Sequence, residues 1–309
     1  MSMRIYVAVT DNEWFRFLSE RAPLDEVNFW QPGQAESFRV LSPGEPLLFK
    51  LHAPENFIVG GGFFAHFTPP VQCSLVWQSF GEKNGVVSLE ELRKKVEKYR
   101  RHRPIAYADY KIGCILLVQP FFFPRDQWIP APDDFHLNIV KGKTYDTSLG
   151  TGKEVWRMVS EKIRHWSVPG SSPQPRPVYG DPILVKQRLG QGTFRLSVLD
   201  NYQRRCAITQ EKIVPVLEAA HIKPVSEGGQ HTVDNGILLK SDLHTLYDRG
   251  YVTVAPDYKL HVSKRLKDDF NNGKYYYQFD KTELWLPHNA SERPNREFLE
   301  WHADTVFQR

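Results

Sequence analysis

The chain has 309 residues, long enough for two ordinary domains, and its 41% hydrophobic and 25% charged content is that of a globular protein. That composition excludes a disordered or fibrous chain. A net charge of +4 allows a polyanionic partner without requiring one, and no run of residues is apolar enough for a membrane helix.

The first fifteen residues carry charges early and read as a strand and turn rather than a secretory signal, so a cytoplasmic protein with no membrane contact is expected. Cys73, Cys114 and Cys206 are far apart and form no Cys-x-x-Cys pair, so neither structural zinc nor a disulfide framework is expected. Aromatic residues are abundant, with 8 Trp, 13 Tyr and 19 Phe. A core explains most of them, and base stacking could use a few.

The N-terminal part reads as α+β with a dominant sheet. Apolar strand-like runs occur at Arg4–Val9, Pro46–Leu51, Phe57–Phe67, Ser74–Gln78 and Gly113–Gln119. The triplet Gly60-Gly61-Gly62 interrupts one run and predicts a bulge or a close backbone approach. Ser88–His102 is a helix candidate: Ser88 and Glu91 form a capping-box pattern, and Leu89, Leu92, Val96 and Tyr99 recur at helical spacing toward a core. Its basic residues, among them Arg93, Lys94, Lys95 and Arg100, read first as a solvated face and second as a phosphate-contacting one. His52, His66, His102 and His136 are scattered, so residues 1–165 hold no catalytic constellation.

The segment Trp166–Gly180 is rich in Pro, Ser and Gly and reads as a linker. The division is therefore 1–165, linker 166–180, and 181–309. The second part begins with a helical stretch from Pro182 to Arg205, whose Arg188, Arg195 and Arg204 are candidate contacts to a nucleic-acid backbone. A strand over Val214–Ile222, a polar loop, a strand over Gly236–Lys240 and a helix over Ser241–Asp248 follow. A hairpin (Tyr251–Val254, Lys259–Ser263) and a closing helix (Asn295–Phe307) complete it.

Three residues stand at the joints of this strand–loop–strand–helix order: His221, Asn235 and His244. Phosphodiester hydrolysis needs a base to activate water and a cation to neutralise the phosphate. A neutral histidine can be that base, and His221 is the candidate. His244 can supply a metal ligand. Glu218 is a second candidate ligand, placed by strand alternation on the opposite face from His221. Asp248, four residues after His244, shares its helix face and could be a third ligand or a supporting partner. A purely structural role would not explain two histidines at element ends within mutual reach. His231 and His261 fit no position in this pattern and read as surface or hairpin residues, and Cys206 reads as a buried apolar residue.

The pattern Ala219-Ala220-His221-Ile222-x-Pro224, Asp234-Asn235-Gly236, Asp242-Leu243-His244-x-Leu246-Tyr247-Asp248 resembles the HNH nucleases of the ββα-metal fold. The resemblance implies that His221 activates water, Asn235 braces the loop and His244 binds the metal. Many members carry an acidic or histidine ligand just before the base, where this chain has Ala220, which leaves Glu218 as the substitute. A carboxylate at Asp248 in place of a second helical histidine points to Mg²⁺ or Mn²⁺, with Co²⁺ or Ni²⁺ also admissible.

The segments Pro43–Lys50, Ile58–Phe64, Phe80-Gly81 and Ile112–Leu117 are similar to EVE domains of the PUA-like superfamily. This implies a curved sheet or barrel, with helices, that cups a base. An EVE-like reader before an HNH nuclease resembles modification-dependent restriction endonucleases, which read modified cytosine by base flipping. On that reading Trp30, Phe64, Trp77 and Asp109 are candidates for the base pocket, and the partner is double-stranded DNA carrying 5-methyl- or 5-hydroxymethylcytosine. One HNH site cuts one strand, so double-strand cutting implies a homodimer or two binding events. The alternatives are an HNH nuclease of other nucleic-acid specificity and a non-cleaving reader.

Overall fold

The computed structural model describes residues 3–33, 36–100, 109–136, 138–165 and 189–309, and the chain divides into two compact units, Met1–Gln187 and Arg188–Arg309. The proposed linker lies outside the described residues.

The first unit is built on a seven-stranded sheet. Its strands are β1 (Arg4–Thr10), β2 (Glu26–Gln31), β3 (Pro46–Leu51), β4 (Phe57–Gln72), β5 (Lys111–Phe122), β6 (Ile129–Pro130) and β7 (Gly142–Asp146). The order is β2-β5-β4-β3-β1-β7, with β6 on β4, and only β1 and β3 run parallel. Both faces are covered, which explains why every residue of β3 is buried, Lys50 included. Tyr6, Ala8, Leu47 and Phe49 pack on one side with Trp14, Phe15 and Leu18 of helix α1 (Asn12–Ser19). Ile5, Val7 and Leu48 pack on the other with Val155 and Val159, which belong to a later helix of this unit.

The glycine triplet does what its position predicted. A Cβ on Gly60 would stand 2.3 Å from the Phe121 carbonyl oxygen, and the β4–β5 register shifts between Gly61 and Phe63. Further shifts along β4 bend the sheet. The hydrogen-bonded path does not close among the described residues, so the sheet is curved but no barrel is shown.

The run Ser74–Gln78 is not a strand. It belongs to helix α2 (Cys73–Phe80), whose buried Cys73, Val76 and Phe80 follow helical spacing. Helix α3 (Leu89–Arg100) has the predicted cap: Glu91 N–H donates to Ser88 Oγ (3.2 Å), and the Glu91 carboxylate accepts from Val87 N–H (3.0 Å). Leu92 and Val96 are buried, but Tyr99 is 41% exposed and bonds Asp11 instead of entering the core. Lys94, Lys95 and Arg93 pair with Glu90, Glu13 and Asp109, so much of the basic face has local partners. The helix that covers the second face, α4 (Gly150–His165), follows β7.

The second unit begins its described part with α5 (Gln191–Asn201), shorter than the predicted helix. It stops because Gln203 and Arg204 take left-handed backbone angles (φ 50° and 56°). The predicted strand Val214–Ile222 is a 3₁₀ turn over Val214–Val216 followed by β8 (Leu217–His221). Strand β9 (Gly236–Lys240) pairs antiparallel with β8, setting His221 opposite Gly236, and α6 (Ser241–Asp248) follows directly. Beyond it come the hairpin β10 (Val252–Val254) and β11 (Leu260–Val262), short helices α7 (Arg265–Phe270) and α8 (Lys274–Tyr277), and α9 (Arg296–Thr305).

Candidate active site

Strand β8, the loop that follows it, helices α5 and α6 and the end of α9 meet around one cavity of about 650 Å³. Arg195, Glu218, His221, His244 and Asp248 all line it. Glu218 and His221 stand three apart on β8, on alternate sides of the strand as expected, and both line this cavity.

His221 is half-buried at the end of β8. The Phe194 ring stacks on its imidazole with centroids 4.0 Å apart and planes at 11°. Gly236, across the ladder, makes this possible, because a Cβ there would stand 2.5 Å from Val198 Cγ2 and 3.0 Å from the Phe194 ring. On its edge, His221 Nε2 lies 3.0 Å from His231 Nδ1. Burial, with His231 and His244 nearby, pushes His221 down to about 4. The ring is then neutral at neutral pH, the protonation state a general base needs.

His231 is thus not an ordinary surface residue. No local spacing rule would have found it, since the loop fold brings it to His221. Phe194 was missed for the same reason. His261 lies in β11 opposite Thr253, as the hairpin reading expected.

Asn235 is fully buried and holds that loop. Its Oδ1 accepts from Lys223 N–H (2.9 Å), and its Nδ2 donates to the carbonyls of Lys223 (2.9 Å) and Gln230 (2.9 Å). The side chain fixes backbone and has no proton to exchange with a substrate.

His244 stands between two carboxylates. Glu218 Oε2 lies 2.6 Å from its Nδ1, and Asp248 Oδ2 lies 3.3 Å from its Nε2. A neutral imidazole carries one N–H and cannot donate to both. Burial and Glu218 raise the Asp248 carboxyl above its usual range, against the pull of His244. One cation on the Nε2 side would resolve both conflicts. Two donors at roughly 2.1 Å from one octahedral ion are about 3 Å apart, close to the His244–Asp248 separation. The donor set of one imidazole and carboxylates suits a divalent ion that keeps several waters. Among the described residues no three such side chains converge as a complete metal cage. Cys206 is buried and unpaired with another cysteine.

The remaining predicted residues are placed as follows. Arg195 lines the cavity, where burial lowers its guanidinium against the pull of Glu218. Arg204 pairs with Asp200 (3.3 Å). Arg188 is outside the described residues. In the first unit, Phe64 is 4% exposed and packs on Phe38 in the core, which corrects its assignment to an open pocket. Trp30 Nε1 donates to the Asn84 carbonyl (3.0 Å), and Trp77 is half-buried on α2. Asp109 accepts from Ser74 N–H (3.0 Å) and pairs with Arg93. A cavity of about 720 Å³ in this unit is lined by Phe15, Arg16, Glu55, Arg125 and Trp128 among others, and by none of those four.

Residues 206–255 match the HNH endonuclease family. The match spans β8, the braced loop, β9 and α6, so Glu218, His221, His244 and Asp248 of the cavity lie in an HNH endonuclease domain. No curated protein sequence matches the chain significantly. Among solved structures, the chain is similar to ASCH from Zymomonas mobilis (12% identity, 50% of this chain and 94% of that one, TM-score 0.32). It is also similar to the modification-dependent TagI restriction endonuclease (13% identity, 90% and 74%, TM-score 0.27). Neither score is high enough to assign a fold. No helix among the described residues is long and apolar enough to cross a membrane.

Proposed function

We propose that this protein is a metal-dependent endonuclease that hydrolyses DNA phosphodiester bonds in its C-terminal unit, directed to modified cytosine by its N-terminal unit. The observation that carries the nuclease reading is the pairing, in one cavity, of His221 with a His244 flanked by Glu218 and Asp248.

In this reading His221 takes a proton from water, and the hydroxide attacks phosphorus. Arg195 holds a phosphate oxygen, and Asn235 keeps the loop that carries His231 in place. His244 Nε2 and Asp248 would hold a divalent ion, Mg²⁺ or Mn²⁺, while Glu218 accepts the Nδ1–H behind the ring and fixes its tautomer. The bound ion supplies charge neutralisation at the phosphate and stabilises the leaving oxygen. This assigns Glu218 the supporting role and Asp248 the ligand role.

The specificity half rests on the resemblance of the N-terminal segments to base-cupping domains and on the bent sheet they form. Matched plasmids carrying C, 5-methylcytosine, 5-hydroxymethylcytosine or its glucosylated form, with Mg²⁺ or Mn²⁺, test it. Cutting confined to the modified plasmids is expected. Equal cutting of all four refutes the specificity, and tight binding without cutting under any of Mg²⁺, Mn²⁺, Co²⁺ or Ni²⁺ refutes the nuclease.

A further inference from the structure

The loop between β8 and β9 brings a second histidine to the base. His231 Nδ1 is 3.0 Å from His221 Nε2, and the two rings meet edge to face, centroids 4.9 Å apart at 65°. It is the only hydrogen bond to the His221 side chain among the described residues. Phe194 covers one face of the same imidazole at 4.0 Å. The ring is therefore held on its face and at one edge nitrogen.

A bond between two neutral imidazole nitrogens uses one proton, which can belong to either ring. If His231 donated it, His221 would carry its own proton on Nδ1 and have no free lone pair. If His221 donates it from Nε2, its Nδ1 keeps a lone pair and can take a proton from water. Only the second arrangement makes a base. We infer that His231 is a positioning residue that accepts the Nε2–H of His221 and so fixes Nδ1 as the proton-accepting atom; this rests on the endonuclease reading above.

In the step it serves, an O–H bond of water breaks and the proton goes to His221 Nδ1. The hydroxide oxygen bonds phosphorus. The bond from phosphorus to the leaving sugar oxygen breaks with its electron pair on that oxygen, which takes a proton from solvent. The imidazolium formed at His221 leans on the His231 lone pair through the same Nε2–H bond, which strengthens when its donor becomes charged. Loss of the Nδ1 proton to solvent resets the pair.

Two readouts test this on the full-length protein. The first is nitrogen NMR of metal-free protein labelled at histidine, with His221→Ala to assign the signals. The wild type should show His221 protonated at Nε2 and unprotonated at Nδ1. In His231→Ala the two nitrogens should average toward a mixture of tautomers. A wild-type His221 protonated at Nδ1 overturns the inference. The second is cleavage. His231→Ala should lower kcat roughly 10- to 100-fold with KM little changed, the range of supporting partners elsewhere. His231→Asn, which can place an acceptor oxygen near the lost nitrogen, should recover most of the loss. Undiminished kcat in His231→Ala overturns the inference. If His231→Ala fails to fold, the wild-type spectrum and the His231→Asn rate decide. The spectrum needs no substrate, so a failure of the nuclease reading shows as absent wild-type cleavage and leaves the tautomer result standing.

Discussion

Replacing Asn235 by alanine should loosen the loop that carries His231 and thereby both destabilise the C-terminal unit and slow cleavage. The side chain is fully buried and makes three hydrogen bonds to loop backbone, one accepted and two donated. Each such bond contributes about 1 kcal/mol net. Lys223 is half-buried and Gln230 exposed, so their freed groups can recover water and escape the full penalty of burial without a partner. The sum is about 2 to 3 kcal/mol. Asn235→Asp is the sharper probe, because it keeps the volume but turns the donor into an acceptor facing two carbonyl oxygens. Above the carboxylate range it should cost at least as much as alanine. Urea unfolding of the full-length protein gives the magnitude, and hydrogen exchange of peptides spanning 222–235 locates it. A cost below about 0.5 kcal/mol for both variants, typical of unlinked surface sites, would refute the bracing role.

Other consequences can be checked in the same preparations. Asp248→Asn should weaken Mn²⁺ binding more than Glu218→Gln, the latter falling about 10- to 100-fold as a partner behind the ligand; titration calorimetry giving the reverse order would restore Glu218 as the ligand. Gly236→Ala should push Val198 and Phe194 off the His221 ring, costing about 1 to 3 kcal/mol by overpacking and lowering cleavage; an unaltered melting temperature and rate would contradict the contact geometry. His302 is buried, stacked on Tyr247, bonded to Thr253 Oγ1 and donating to the Tyr247 carbonyl, and burial pushes it down to about 4. Its folded value is depressed, so the unfolded chain binds the extra proton between about pH 6.5 and 4. The stability this residue contributes is present above pH 6.5 and lost as pH falls through that window, on the order of 3 kcal/mol in all. Urea midpoints measured from pH 7 to 4.5 should fall less steeply for His302→Gln than for the wild type, and equal slopes would remove His302 as the cause.

The frame of the candidate site was legible because its elements are short and polar residues fall at their boundaries. His221 ends β8, Asn235 precedes β9 and His244 sits in α6, as the order of apolar runs and polar joints implied. What local patterning could not show is what the tertiary fold brings to those joints. Phe194 comes from a helix 27 positions before His221, and His231 reaches it only because Asn235 folds the loop back. In the first unit, strands buried on both faces read clearly as apolar runs, while β2 and β7 at the ends of the sheet gave weaker signals. Ser74–Gln78 misled because a short apolar run fits strand and buried helix equally well. Residue type and a polar neighbour in the sequence do not separate a core ring such as Phe64 from the wall of a base pocket.

The most direct test of the central claim is single-turnover cleavage of modified DNA by His221→Ala beside the wild type, with DNA binding measured on the same samples. Metal-dependent cleavage by the wild type is expected, with loss of at least about 10²-fold in the variant, the low end of general-base contributions, and unchanged binding. Full cleavage by His221→Ala would contradict the claim.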